Sequence, residues 1–161
     1  MDAKLAGRIF DWIQTLLGVA LVVAVALNFA AVVGRYVLGV AIVGADELQI
    51  FLMVWMAFLG AAIVTWREQH LRMDVLLDFL PRRVRSAVRR VEAAVLLVLA
   101  CVVVWESAGY VRQMIAIGRQ SDAAGIPMAL PHAAVTIGFA LIALIAAARL
   151  GRSAPGDAER S

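Results

Sequence analysis

Charged residues in this chain gather into clumps separated by long stretches that have none. No Asp, Glu, Lys or Arg occurs in the 23 residues between Asp11 and Arg35, the 19 between Glu47 and Arg67, or the 26 between Asp122 and Arg149. A fourth stretch of 19 residues, Ala93 to Val111, holds Glu106 as its single charge. An α-helix rises about 1.5 Å per residue, so about 20 apolar residues carry it across the hydrocarbon of a bilayer. These four windows occupy over half of the 161 residues. With 63% hydrophobic and 17% charged residues, the chain also lacks the polar surface to cover itself in water. The expected fold is therefore an all-α integral membrane protein, a single transmembrane domain over residues 1–161. Its helices are expected at about 10–35, 47–67, 82–111 and 128–149.

Several classes fall away at once. The longest segment outside the windows runs from Arg67 to Glu92, too short for a soluble catalytic domain. The one cysteine, Cys101, lies inside the third window and has no partner for an intrachain disulfide. The pI of about 9.7 reflects arginine flanking apolar spans, which speaks for a membrane surface rather than nucleic acid. Lys4 and Arg8 give the first window a basic start, yet its apolar run from Trp12 to Gly34 exceeds the roughly 7–15 residues of a signal-peptide core. It reads as a retained anchor.

Orientation follows from Lys and Arg in the short loops. The two tails and the middle segment hold twelve of them, against three in the other two connections (Arg35, Arg112 and Arg119). Both termini are expected in the cytoplasm, with Trp12 and Trp66 at that headgroup level and Tyr36 and Tyr110 at the other. Trp55 falls near mid-span, where it reads as a lipid-facing or packing residue.

The middle segment, from His70 to Leu80, places Leu76, Phe79 and Leu80 on one helical face with Asp74 and Asp78 off it. That pattern fits a short amphipathic helix, at about 70–80, lying in the cytoplasmic interface. Pro81 suits the first turn of a new helix, along which Val84, Val88, Val91 and Val95 form a stripe. Arg82, Arg83, Arg85, Arg89 and Arg90 fill the other faces, where anionic lipid headgroups or an acidic partner would meet them. A polar tail, 151–161, closes the chain.

Small residues repeat every four positions at Ala26, Ala30 and Gly34, and at Ala134 and Gly138. Together with Gly60-Ala61-Ala62 after Trp55 and Phe58, they mark places where helices approach closely. Asn28, polar within a span, calls for an interhelical hydrogen bond.

Chemistry is scarce. Glu106 is an acid inside a span, open to a structural pairing with Arg35 or Arg112 or to proton coupling. Asp46 and Glu47 form an acidic first turn that complements the dipole of the second helix. The only histidines, His70 and His132, fall at opposite ends of the spans, roughly 30 Å apart, which excludes a bis-histidine haem within one chain. No metal cluster, nucleophile–base pair or phosphate loop stands out, so neither an enzyme nor a cofactor is expected. Pro127 and Pro131 start the fourth helix rather than break it, against a self-sufficient transporter built around broken helices.

The block Asp46-Glu47-Leu48, Trp55, Phe58, Leu59-Gly60-Ala61-Ala62, Arg67, His70, Asp74 and Leu80-Pro81 resembles the small-permease subunit of TRAP transporters, the DctQ-type family. The resemblance extends to Asn28 and Gly34-Arg35-Tyr36, and to Gly125-Ile126-Pro127 with Gly138-Phe139. Thr136 and Ala129 depart from the family pattern, which often has proline and an aromatic there. What the resemblance implies is a four-helix subunit of the bacterial inner membrane with cytoplasmic termini. It would scaffold a large permease that imports organic acids delivered by a periplasmic binding protein, driven by an ion gradient rather than ATP. Asp46, Glu47, Trp55, Gly60, Arg67, His70 and Asp74 then become candidates for scaffold integrity or partner contact, while the same residues could equally stabilise the bundle internally. The alternative is an autonomous homo-oligomeric exporter with Glu106 as its proton-coupling acid.

Overall fold

The structure, a computed structural model, describes residues 3–67 and 81–152. Four helices fill them: α1 (Ala3–Tyr36), α2 (Ala45–Arg67), α3 (Arg82–Ile117) and α4 (Ala129–Arg152). Three contain stretches long and apolar enough to cross a membrane: Gly7–Tyr36, Ala45–Arg67 and Ala129–Gly151. α3 is not among them; five arginines and Glu92 occupy its first three turns, and Glu106 is the single charge in the stretch Ala93 to Val111 that follows. The expected amphipathic helix at 70–80, with His70 and Asp74, lies outside the described residues.

Helix limits follow local chemistry more than apolarity. Pro81 serves as the N-cap of α3 rather than its first turn. α3 also runs six residues past the expected 111, because nothing breaks it until Gly118 takes the left-handed conformation (φ 64°). There the Gly118 N–H donates to the Ile115 carbonyl and the Arg119 N–H to that of Met114, closing the helix in a Schellman turn. Pro131 sits in the first turn of α4, where its missing N–H has no intrahelical partner to lose.

α1 packs on α2, α2 on α4, and α4 on α3, so α1 and α3 form the flanks. α1 antiparallels α2, α2 runs parallel to α4, and α4 antiparallels α3. The α1–α2 and α3–α4 loops thus share one end of the molecule, the hairpin end, opposite a terminal end.

Small side chains hold the interior and large ones face outward. Ala62, Ala100, Ala134 and Ala146 are 0% exposed, whereas Leu16, Val22, Phe29 and Leu144 lie open. Among the described residues no polar or charged side chain is buried. Close backbone approach replaces a water-driven core, as expected where lipid is as apolar as leucine. Its tightest point is Gly138, where a Cβ would stand 2.8 Å from Phe58 Cβ and 2.9 Å from the Phe58 carbonyl oxygen.

Two packing expectations need correction. On α1 the buried or half-buried positions are Gly7, Phe10, Ile13, Leu17, Ala20, Ala24, Leu27, Ala31, Val33 and Gly34, and from Phe10 onward all but Val33 fall on a seam alternating three and four. Ala26 and Ala30 are exposed, out of phase with that seam. Every face of α1 is apolar, so spacing could not tell which one meets α2. Gly60 is only half-buried and nothing lies within 4 Å of where its Cβ would be; the close contact on α2 belongs to Ala62.

Candidate functional site

Polar side chains concentrate at the two ends of the helices, where they tie distant segments together. At the hairpin end Gly44 adopts φ 82°, and the α2 N-terminus begins directly after it. The Glu47 carboxylate then reaches across to the α3–α4 loop, accepting the N–H groups of Ala123 (3.0 Å) and Ala124 (2.7 Å) on separate oxygens. Ser121 adds a side-chain hydrogen bond to the same carboxylate.

That loop is itself folded. Gln120 and Pro127 form an isolated antiparallel bridge, Ser121 N–H donates to the Ile126 carbonyl (2.8 Å), and Met128 N–H to that of Arg119 (3.0 Å). The Ser121 hydroxyl accepts the Ile126 N–H at 3.1 Å. Gly44 packs against the loop tip so tightly that a Cβ would sit 2.8 Å from Ala124 Cβ. Asp46, beside Glu47, points elsewhere and pairs with Arg35 at 3.5 Å. A carboxylate filling two otherwise unpartnered N–H groups makes charge-assisted bonds stronger than neutral ones. We therefore expect Glu47→Gln to lower the melting temperature in detergent and to speed proteolysis within 119–128. Unchanged melting and cleavage would remove Glu47 as the clamp.

At the terminal end Arg67 pairs with Asp11 at 3.3 Å, and Phe10 stacks on Trp66 with ring centroids 4.7 Å apart. Arg149 donates to the Thr65 carbonyl, linking α4 to α2. Both members of the Asp11–Arg67 pair are well exposed (73% and 49%). A double-mutant cycle with Asp11→Asn and Arg67→Gln should therefore give a coupling within about 1 kcal/mol; a much larger value would show that this pair governs the α1–α2 hairpin. His70 and Asp74, expected to join Arg67 here, lie outside the described residues.

Between the ends, Asn28 donates to Gln49 at 3.0 Å across α1 and α2. Thr136, which departs from the family pattern, donates to Ser107 at 3.0 Å across α4 and α3. Trp55 is half-buried on α2. Arg82 and Arg83 open α3, with Arg85, Arg89 and Arg90 following within its first three turns. Glu106 is exposed and meets neither cation expected for it: Arg35 is taken by Asp46, and Arg112 Nε donates to its own helix at the Ala108 carbonyl.

An open apolar groove of about 670 Å³ runs between α3 and α4, lined by Cys101, Trp105, Ala108, Ala143 and Ala147 with Arg112 at one end. It brings no set of polar groups to a focus. Among the described residues, then, the arrangement welds helices and loops to each other and presents an apolar exterior. Sequence reasoning singled out Glu47 without its partners, because the loop it holds is 76 residues away. It missed Asp11, Gly44, Gln49 and Arg149 altogether. Of these Gly44 alone carried a local signal, a glycine directly before an acidic helix start.

Comparison with curated proteins finds no match. A family described as "Tripartite ATP-independent periplasmic transporters, DctQ component" matches residues 24–156, which take in the hairpin-end clamp, all of α2 and α3, and all of α4. This is a family of transporter components rather than of enzymes, and it lends no support to an autonomous exporter. In these systems the component works with a large permease and a periplasmic binding protein. With its membrane-spanning apolar helices and its match over most of its length, the chain belongs to the DctQ family of small membrane subunits of TRAP transporters.

Proposed function

We propose that this chain is the stationary scaffold of an ion-gradient-driven importer of organic acids, holding a large permease in the bacterial inner membrane. In this reading α3 crosses the bilayer with the other three helices, entering it near Ala93, and both termini lie in the cytoplasm. The arginine-rich start of α3 then meets anionic headgroups on the cytoplasmic side, next to the interfacial segment 70–80. The hairpin end, with Glu47 and its loop, faces the periplasm, from which a binding protein delivers the substrate.

The observation that carries the reading is the division of labour on the chain's surface. Polar groups at the helix ends mostly pair with each other, while the flanks expose large apolar side chains such as Val22, Phe29, Val98 and Leu99. A scaffold needs rigidity and an apolar exterior, and it needs no substrate site of its own. The test is a tagged pull-down from native membranes in mild detergent, followed by mass spectrometry. A large permease in stoichiometric yield is the expected result; recovery of this chain only, as a stable oligomer, would overturn the reading.

A further inference from the structure

Glu106 is the one charge within the apolar run of α3, and its position is unusual. Toward α4 the helix presents Ala93, Ala100 and Met114, all buried, and Ser107, which accepts the Thr136 hydrogen bond. These four recur every seven residues. Glu106 is one residue before Ser107 and so lies about 100° around the helix from that seam. Its own row continues through Val102, Leu99 and Val95, which are 56%, 58% and 52% exposed.

Depth makes this exposure costly. Thr136, level with Ser107, is seven residues into α4, about 10 Å from its start, and Glu106 is thirteen residues beyond Ala93, about 20 Å. With roughly 30 Å of hydrocarbon, the carboxylate belongs inside it, a third of the way from the hairpin end. Among the described residues it makes no hydrogen bond or ion pair: Arg35, on the opposite flank, pairs with Asp46, and Arg112 donates from Nε to the Ala108 carbonyl of its own helix. A charged side chain facing lipid at such depth is disfavoured by a few kcal/mol, and charges found there pair with others. The opposite flank shows the contrast, since α1 has no charge at all between Asp11 and Arg35.

We propose that the Val95–Leu99–Val102–Glu106 face of α3 is the docking face for a transmembrane helix of the large permease that carries an arginine or lysine at the depth of Glu106. The proposal rests on the scaffold reading above. It follows from charge complementarity: an apolar row ending in one unmatched carboxylate fits a helix that is apolar except for one cation. The ion pair would set the register of the two helices, with the valines and Leu99 supplying the packing.

The experiment uses the full chain co-expressed with its large permease in native membranes. A photo-cross-linking residue replaces Val102 in an otherwise unaltered chain, with the same residue at Phe29 of α1 as the control face. In parallel, Glu106→Gln is compared with the unaltered chain for permease retained in mild detergent and for the melting temperature of the isolated subunit. The expected results are a cross-link from position 102, and not 29, to a permease helix with Arg or Lys within a turn of the linked residue. Retention should fall at least about tenfold in Glu106→Gln, with the isolated subunit melting no lower than before. Pairing Glu106→Arg with an acidic replacement of that permease cation should restore retention. Cross-links from position 102 to lipid only, or to a second copy of this chain, overturn the inference. So does full retention by Glu106→Gln, or a lower melting temperature of the isolated subunit, which would place the role of Glu106 within this chain. A failure of the unaltered chain to retain any permease would instead overturn the scaffold reading itself.

Discussion

Replacing Gly138 with valine should separate α2 from α4 and lower the melting temperature of the purified subunit by about 10 °C, on the order of 3 kcal/mol. The Cβ alone would stand 2.8 Å from Phe58 Cβ, 2.9 Å from the Phe58 oxygen and 3.0 Å from its carbonyl carbon. Two of those atoms are backbone, so no rotamer change relieves the contact and a whole helix must move. That motion would open the Phe58–Phe139 ring contact (centroids 5.9 Å) and the cluster of Ala62, Ala100 and Ile142, where α2, α3 and α4 meet. α4 touches both α2 and α3, so the damage reaches most of the bundle. Gly138→Ala should show the same effect at smaller size. A melting temperature unchanged in Gly138→Val would mean that the helices do not approach as closely as Gly138 implies.

The second large effect is expected at Gly44. Gly44→Val combines two penalties, a β-branched residue at φ 82° and a Cβ 2.8 Å from Ala124 Cβ. Together they should cost about 3 kcal/mol and push the 121–125 loop off the Glu47 carboxylate. Two controls separate the terms. Gly44→Ala combined with Ala124→Gly removes the 2.8 Å approach to the Ala124 Cβ but keeps the backbone strain and a 3.0 Å approach to the Cα of residue 124, so it should recover part of the stability and no more. Gly44→Val combined with Glu47→Gln should be much less than additive, since both act by releasing one loop. Full additivity in melting temperature would show that Gly44 and Glu47 do not act on the loop together.

How much of this was legible beforehand varies with the kind of interaction. The helices could be read because hydrocarbon tolerates no unpaired backbone and few charges, so spans of about 20 apolar residues stand out in a linear sequence. Asn28 announced an interhelical bond for the same reason, though not that Gln49 would supply it. The packing phase of α1 was illegible: Ala26 and Ala30 offered the familiar four-residue spacing, yet the seam runs through Ala20, Ala24, Ala31 and Gly34. On a helix apolar all round, periodicity contains no information about which face is covered.

The Glu47 clamp divides in the same way. An acidic first turn was evident as a dipole complement, which is a local property. That its oxygens hold Ala123 and Ala124 depends on α2 and α4 running side by side and parallel, which brings their N-terminal loops to one end. Had α3 been the neighbour of α2, Glu47 would have faced a different partner. Glu106 shows the complementary limit, because its charge was visible but its direction was not. Arg35 and Arg112 both stood within plausible reach, and the pairing Arg35–Asp46 together with the rotation of α3 on α4 removes both.

The sequence by itself determined that this chain forms helices, that they are apolar enough to suit a membrane, and the family to which it belongs. The first two rest on composition within contiguous segments, where the bilayer acts on each segment independently, and the third on the resemblance carried by particular residues such as Asp46-Glu47-Leu48 and Leu59-Gly60-Ala61-Ala62. Only the tertiary structure decided the order of the helices, the phase of each seam, the partners of Glu47, Asp46 and Arg67, and the outward aim of Glu106. Those depend on rotations and neighbours set by contacts between residues far apart in the chain, and hydrophobicity, the same on every face, cannot encode them.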